Sequence, residues 1–148
     1  MALMLAACAG TTSTQVTQYA QDANLIGAGL NGAVAALKAD PTVSPATIGV
    51  VSTYVAAVQT AAQEVATAAS ANAAQGPTGQ LVQAVNALVA GASGIAVLPP
   101  DIRTIFAAAS ALLPPIEIAV GLAPAAGAAP AAMSPDEARL RLAAAAHR

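Results

Sequence analysis

Charged side chains and aromatic rings are what this chain has least of. Asp, Glu, Lys and Arg make up 8% of its 148 residues and aromatics 2%, with no tryptophan. The five basic residues, Lys38, Arg103, Arg139, Arg141 and Arg148, are scattered or confined to the C-terminal end. They form no basic stripe interleaved with aromatics, so no nucleic acid is expected as a partner. The single cysteine, Cys8, excludes an internal disulfide. The single histidine, His147, is the penultimate residue, and a metal centre needs several such ligands. A chain end is also a poor place to hold a catalytic base. Catalytic residues, a metal and a cofactor are therefore all expected to be absent, and the chain reads as a non-enzyme.

The carboxylates are equally few. Asp40 and Asp101 stand beside prolines and read as turn or cap residues, while Asp136 and Glu137 read as first-turn acids of a helix. Asp22, Glu64 and Glu117 remain as candidate acids or bases, each readable as a solvated helix position. Glu117, flanked by Ile116 and Ile118, is expected either to hold its proton or to pair with a cation such as Arg103.

Alanine, by contrast, fills close to a third of the chain, and mean hydropathy is +0.66. Alanine is the best helix former because it has no rotamers to lose. Leu, Ile, Val and Phe add about 23%, enough for one thin core. The fold class expected is all-α: an antiparallel bundle of about four helices plus a C-terminal amphipathic helix.

The helices follow from periodicity and punctuation. Val16, Tyr19, Ala23, Ile26, Leu30, Ala33 and Leu37 recur every three or four residues and predict a helix over 13–39, ended by Asp40-Pro41. Ser44-Pro45 predicts an N-cap and first helical residue. That second helix is expected to reach residue 75 and to stop at Gly76-Pro77. A third is expected over 78–92 and a fourth over 101–113, with 116–122 either helix or strand. Residues 123–133, nearly all Ala, Pro and Gly, read as a linker that leaves the folded unit at 13–122. Ser134-Pro135-Asp136-Glu137 predicts the start of a last helix, over 134–148, with a capping box. Arg139, Arg141, His147 and Arg148 lie toward its opposite end, where cations suit the helix dipole.

Gly27-Ala28-Gly29-Leu30-Asn31-Gly32 matches the glycine pattern of dinucleotide-binding loops. That loop requires a strand before it and an acid about 20 residues later, where this chain has Ser52 and Thr53. Ala28, Gly32 and Ala36 instead form a strip of small residues spaced by four, expected to be a close helix–helix contact. On such a contact Gly32→Ala would be mild or stabilising.

Near the start, Leu5-Ala6-Ala7-Cys8 is followed by Ala9-Gly10-Thr11-Thr12-Ser13-Thr14. An apolar run ending in small residues and a cysteine resembles the lipobox of bacterial lipoproteins. The composition is also similar in style to small Ala-rich lipoproteins encoded near prophage genes. The resemblance implies a signal-like leader and tether over 1–12 and lipidation of Cys8, and through that lipid an anchor in the bacterial envelope, facing the periplasm. It implies no molecular activity. If Met1 is the true start of an unprocessed chain, the expected location is cytoplasmic instead. The exposed-looking residues Gln15, Gln18, Gln21, Gln59, Thr60 and Gln63 are polar but uncharged, which suits self-association or a helical partner. The alternative function is a membrane-inserting or pore-forming protein in which residues 78–122 enter the bilayer as a hairpin.

Overall fold

A computed structural model describes residues 5–123 and 133–148, with the backbone alone over 5–17. The described residues hold six helices and no strand: α1 (Leu5–Ala39), α2 (Pro45–Thr67), α3 (Ala71–Ser93), α4 (Pro100–Ala111), α5 (Leu113–Ala119) and α6 (Pro135–Ala146). The fold is an all-α bundle. Helix α1 begins eight residues earlier than the periodicity predicts. The expected leader and tether, 1–12, fall partly on residues outside the description and partly on the first turns of α1.

Short connections make α1 and α2 antiparallel neighbours, and likewise α2 and α3. In the first turn, the Asp40 carboxylate accepts hydrogen bonds from the Thr42 amide (2.9 Å) and hydroxyl (2.7 Å). These bonds hold the Asp40 carboxyl below its ordinary pKa. Ser44 then caps α2 by accepting from the Thr47 amide at 3.2 Å, with Pro45 in the first helical position as predicted.

The second turn lies elsewhere than expected. Helix α2 stops at Thr67, and Ser70 caps α3 by accepting from the Ala73 amide at 3.2 Å. Gly76 and Pro77, expected to end α2, are inside α3. The reason is the core stripe. Ala74, Thr78, Leu81, Val85, Leu88 and Ala92 are all buried and keep a helical spacing straight through Pro77. A break at Pro77 would throw Ala74 out of that stripe. It would also leave α2 far longer than α3, whereas the observed break makes each 23 residues. A proline inside a helix costs about 3 kcal/mol, so the buried stripe outweighs it.

Helices α4 and α5 run almost end to end. Ile102, Ile105, Phe106, Ala109, Leu112, Leu113 and Ile116 all point into the core. The stretch 116–122, readable as helix or strand, is the second half of α5 and its cap. Gly121 takes φ +86°, where a Cβ would be strained. The Leu122 amide donates to the Glu117 carbonyl at 2.8 Å and the Gly121 amide to that of Ile118 at 3.1 Å, a Schellman ending.

Thr78 is fully buried, and its hydroxyl has no hydrogen-bond partner among the described residues. A buried hydroxyl left unpaired costs about 1–3 kcal/mol. Thr78→Val keeps the shape and removes the hydroxyl, so a rise in thermal midpoint is expected. A fall on thermal unfolding would mean that the hydroxyl is satisfied.

Candidate functional site

Among the described residues, an ion pair joins helix α6 to helix α1. Helix α6 packs on α1 and α4. Ser134 caps it by accepting from the Glu137 amide at 3.3 Å, as the sequence predicts. The reciprocal half of the capping box is replaced. The Glu137 carboxylate accepts instead from Arg141, one turn on, at 2.8 and 3.0 Å. Ala138, Leu142 and Ala145 recur at helical spacing and are buried, while Leu140 is exposed.

Two features of α1 receive this face. The first is a notch. Gly29 lies under Leu142, and a Cβ built on Gly29 would stand 3.1 Å from the Leu142 Cα. A Cβ on Gly32 would strike the Ala145 carbonyl, with its oxygen nearest and its carbon at 2.6 Å. Backbone therefore meets backbone there, which only glycine permits. The second feature is a charge. Asp22 is buried, with 4% exposure, and Arg139 reaches it bidentately, Nε to Oδ1 and Nη2 to Oδ2, each at 2.8 Å. Arg139 Nη1 also donates to Asp136 at 2.9 Å. The hydrogen bond to Asp22 raises the Arg139 pKa above its ordinary value, against the opposing effect of burial. Arginine is charged at any working pH, so the pair is permanent on that side.

The residues singled out in the sequence are therefore redistributed. Of the strip Ala28, Gly32 and Ala36, Gly32 is in the close contact, Ala36 is half-buried and Ala28 is exposed. The functional neighbour of Gly32 is Gly29, one turn earlier. The six residues of the dinucleotide-like pattern all lie inside the continuous helix α1 and make no loop. Asp22, read as a solvated position, is the buried partner of Arg139. Arg139 and Arg141 pair with carboxylates rather than serving the helix terminus. Glu117 is buried in α5. Arg103 donates to the carbonyls of Ile95 (2.8 Å), Leu98 (3.4 Å) and Ala96 (3.5 Å), tying the α3–α4 connection. Glu64 and His147 are exposed. The side chain of Cys8 lies outside the described residues.

Tyr19 is buried with its hydroxyl unpaired among the described residues, and desolvation raises its pKa, so the ring is neutral. Among the described residues no group of three or more His, Cys, Asp or Glu side chains is placed to hold a metal. An open groove of about 500 Å3 between α2 and α3 is lined by Ala57, Thr60, Ala61, Gln80, Gln83 and Ala84, none of them charged. No family model, curated protein or solved structure matches the chain.

Proposed function

We propose that this chain is a small bacterial envelope lipoprotein, lipidated at Cys8, whose role is structural or interactive rather than catalytic. The observation that carries the reading is Leu5-Ala6-Ala7-Cys8 followed by a small polar stretch. The sparse inventory of catalytic side chains supports a non-enzymatic role. The uncharged lining of the α2–α3 groove supports contact with another helical surface. One acyl chain holds a bilayer only marginally, so a stable anchor needs the two chains of a diacylglyceryl group.

Metabolic labelling of the expressed precursor with a radiolabelled fatty acid tests this. Incorporation is expected in the wild type and none in Cys8→Ala. Equal labelling of both, or no labelling of either, removes the lipoprotein reading.

The second reading, insertion of 78–122, draws on one observation. Within the 20 residues Pro100–Ala119, an 18-residue window reaches a mean hydropathy of 1.4, long and apolar enough to cross a bilayer. The same stretch supplies Phe106, Leu112 and Ile116 to the core, so insertion would require the bundle to open. Deleting residues 1–8 separates the two readings. A lipid-anchored domain becomes soluble, and an inserting one stays with the membrane fraction.

A further inference from the structure

We infer that the seat of α6 on α1 and α4 also accepts α6 of a second copy, so that two chains pair by exchanging their C-terminal helices. The seat is built from residues that precede the connection. Asp22, Gly29 and Gly32 come from α1, and α4 closes the other side. What it recognises is specific. Arg139 must reach a buried carboxylate with both nitrogens, and Ala145 must bring its backbone over Gly32. The charges are complementary, and the same complementarity exists between any α6 and any seat. A reciprocal exchange keeps every one of these contacts.

The number of residues between Leu122 and Ser134 sets the reach available for the exchange. Residues 123–133 contain seven alanines, two prolines, one glycine and Met133. Eleven residues reach at most about 36–40 Å, roughly twice the 18 Å length of a twelve-residue helix. The same length decides when exchange occurs. A short connection holds its own helix at an effective concentration of order millimolar. At 10 micromolar protein the chain's own α6 therefore wins by about a hundredfold. Exchange takes over as the concentration approaches millimolar. Crowding on a bilayer would raise the local concentration towards that range, a consequence that rests on the lipoprotein reading; the pairing itself does not.

The test uses charge reversal in full-length chains that all carry Cys8→Ala, which keeps lipid and inter-chain disulfides out of the measurement. Asp22→Arg alone sets two arginines against each other within a chain, and Arg139→Asp alone sets two aspartates. In a 1:1 mixture both ion pairs are restored only by reciprocal exchange. The expected result is a 1:1 dimer of doubled mass by light scattering, formed by the mixture and by neither variant alone. The chain carrying both reversals should be monomeric at the same concentration. A mixture that stays monomeric overturns the inference.

Should either single variant fail to fold, two epitope-tagged copies without the charge reversals are incubated together at about 1 millimolar, the effective concentration above. They are then diluted and captured through one tag. Co-capture that is lost on truncation after Leu122 supports exchange. No co-capture, or co-capture that survives truncation, overturns it.

Discussion

Gly32→Leu is expected to drive α6 off α1 and to lower the thermal midpoint, and Gly32→Ala is expected to be destabilising too. The second expectation reverses the sequence-based one. Alanine gains about 1 kcal/mol over glycine inside a helix. At position 32, however, its Cβ would strike the Ala145 carbonyl, with the carbonyl carbon at 2.6 Å. The obstacle is main chain, so no rotamer change relieves it and the two helices must separate. Overpacking of this kind costs about 1–3 kcal/mol, which exceeds the helix gain over most of that range. For leucine the whole side chain has no room, and the least costly outcome is release of α6. An internal control sits on the same helix. A Cβ on Gly27 would meet only the Ala62 Cβ, at 4.0 Å. Gly27→Ala should therefore be neutral or stabilising by up to about 1 kcal/mol. Thermal unfolding gives the three midpoints, and hydrogen exchange over 135–146 reports whether α6 is seated. A Gly32→Leu chain as stable and as protected as the wild type would place that glycine on an open surface.

The bundle itself was legible wherever a stripe of large apolar residues was bounded by strong punctuation. Tyr19, Ile26, Leu30 and Leu37 of α1, and Ile102, Ile105 and Phe106 of α4, are buried as the period required. So were the caps at Ser44 and Ser134, because serine followed by proline is a local signal. Local signals place the second turn at Gly76-Pro77, the strongest breaker in that region, because Thr67-Ala68-Ala69-Ser70 is a weak one. The signal that locates it is the phase of Ala74 with Leu81 and Leu88, since a buried stripe overrides a local penalty. The α6 seat was not legible for a different reason. Its components lie 117 positions apart in the chain, at Asp22 and Arg139. Each has a sufficient local explanation, as a solvated acid and a dipole-facing cation. The small-residue strip points to a real neighbour through Gly32, but it follows the face of exposed Ala28 rather than that of buried Gly29 beside it.

Truncation after Leu122 is expected to lower the thermal midpoint by about 10 °C, which corresponds to about 3 kcal/mol for a chain of this length. The composition of 123–133 predicts the opposite, a dispensable tail. The structure changes that expectation through the face α6 presents. Leu142 is fully buried, and burying a leucine contributes about 1.5–3 kcal/mol. Ala138 and Ala145 add smaller burials, and the same loss uncovers part of α1 and α4. The ion pair contributes less than its geometry suggests, because removing α6 returns Asp22 to water, which solvates the carboxylate again. Arg139→Ala differs in that respect. With α6 still seated, it would leave a largely buried carboxylate without its cation, and breaking such a pair costs about 3–5 kcal/mol. Release of α6 is the cheaper response whenever that cost exceeds the stability of its docking. The destabilisation by Arg139→Ala is therefore capped near that of truncation, and the two losses should not add. Midpoints measured for the truncated chain, for Arg139→Ala and for Asp22→Asn/Arg139→Ala together test this ordering. The double variant should recover part of the loss, because it removes the stranded charge. A truncated chain within about 2 °C of the wild type, less than 1 kcal/mol at this length, would mean that α6 rests on the bundle without holding it together.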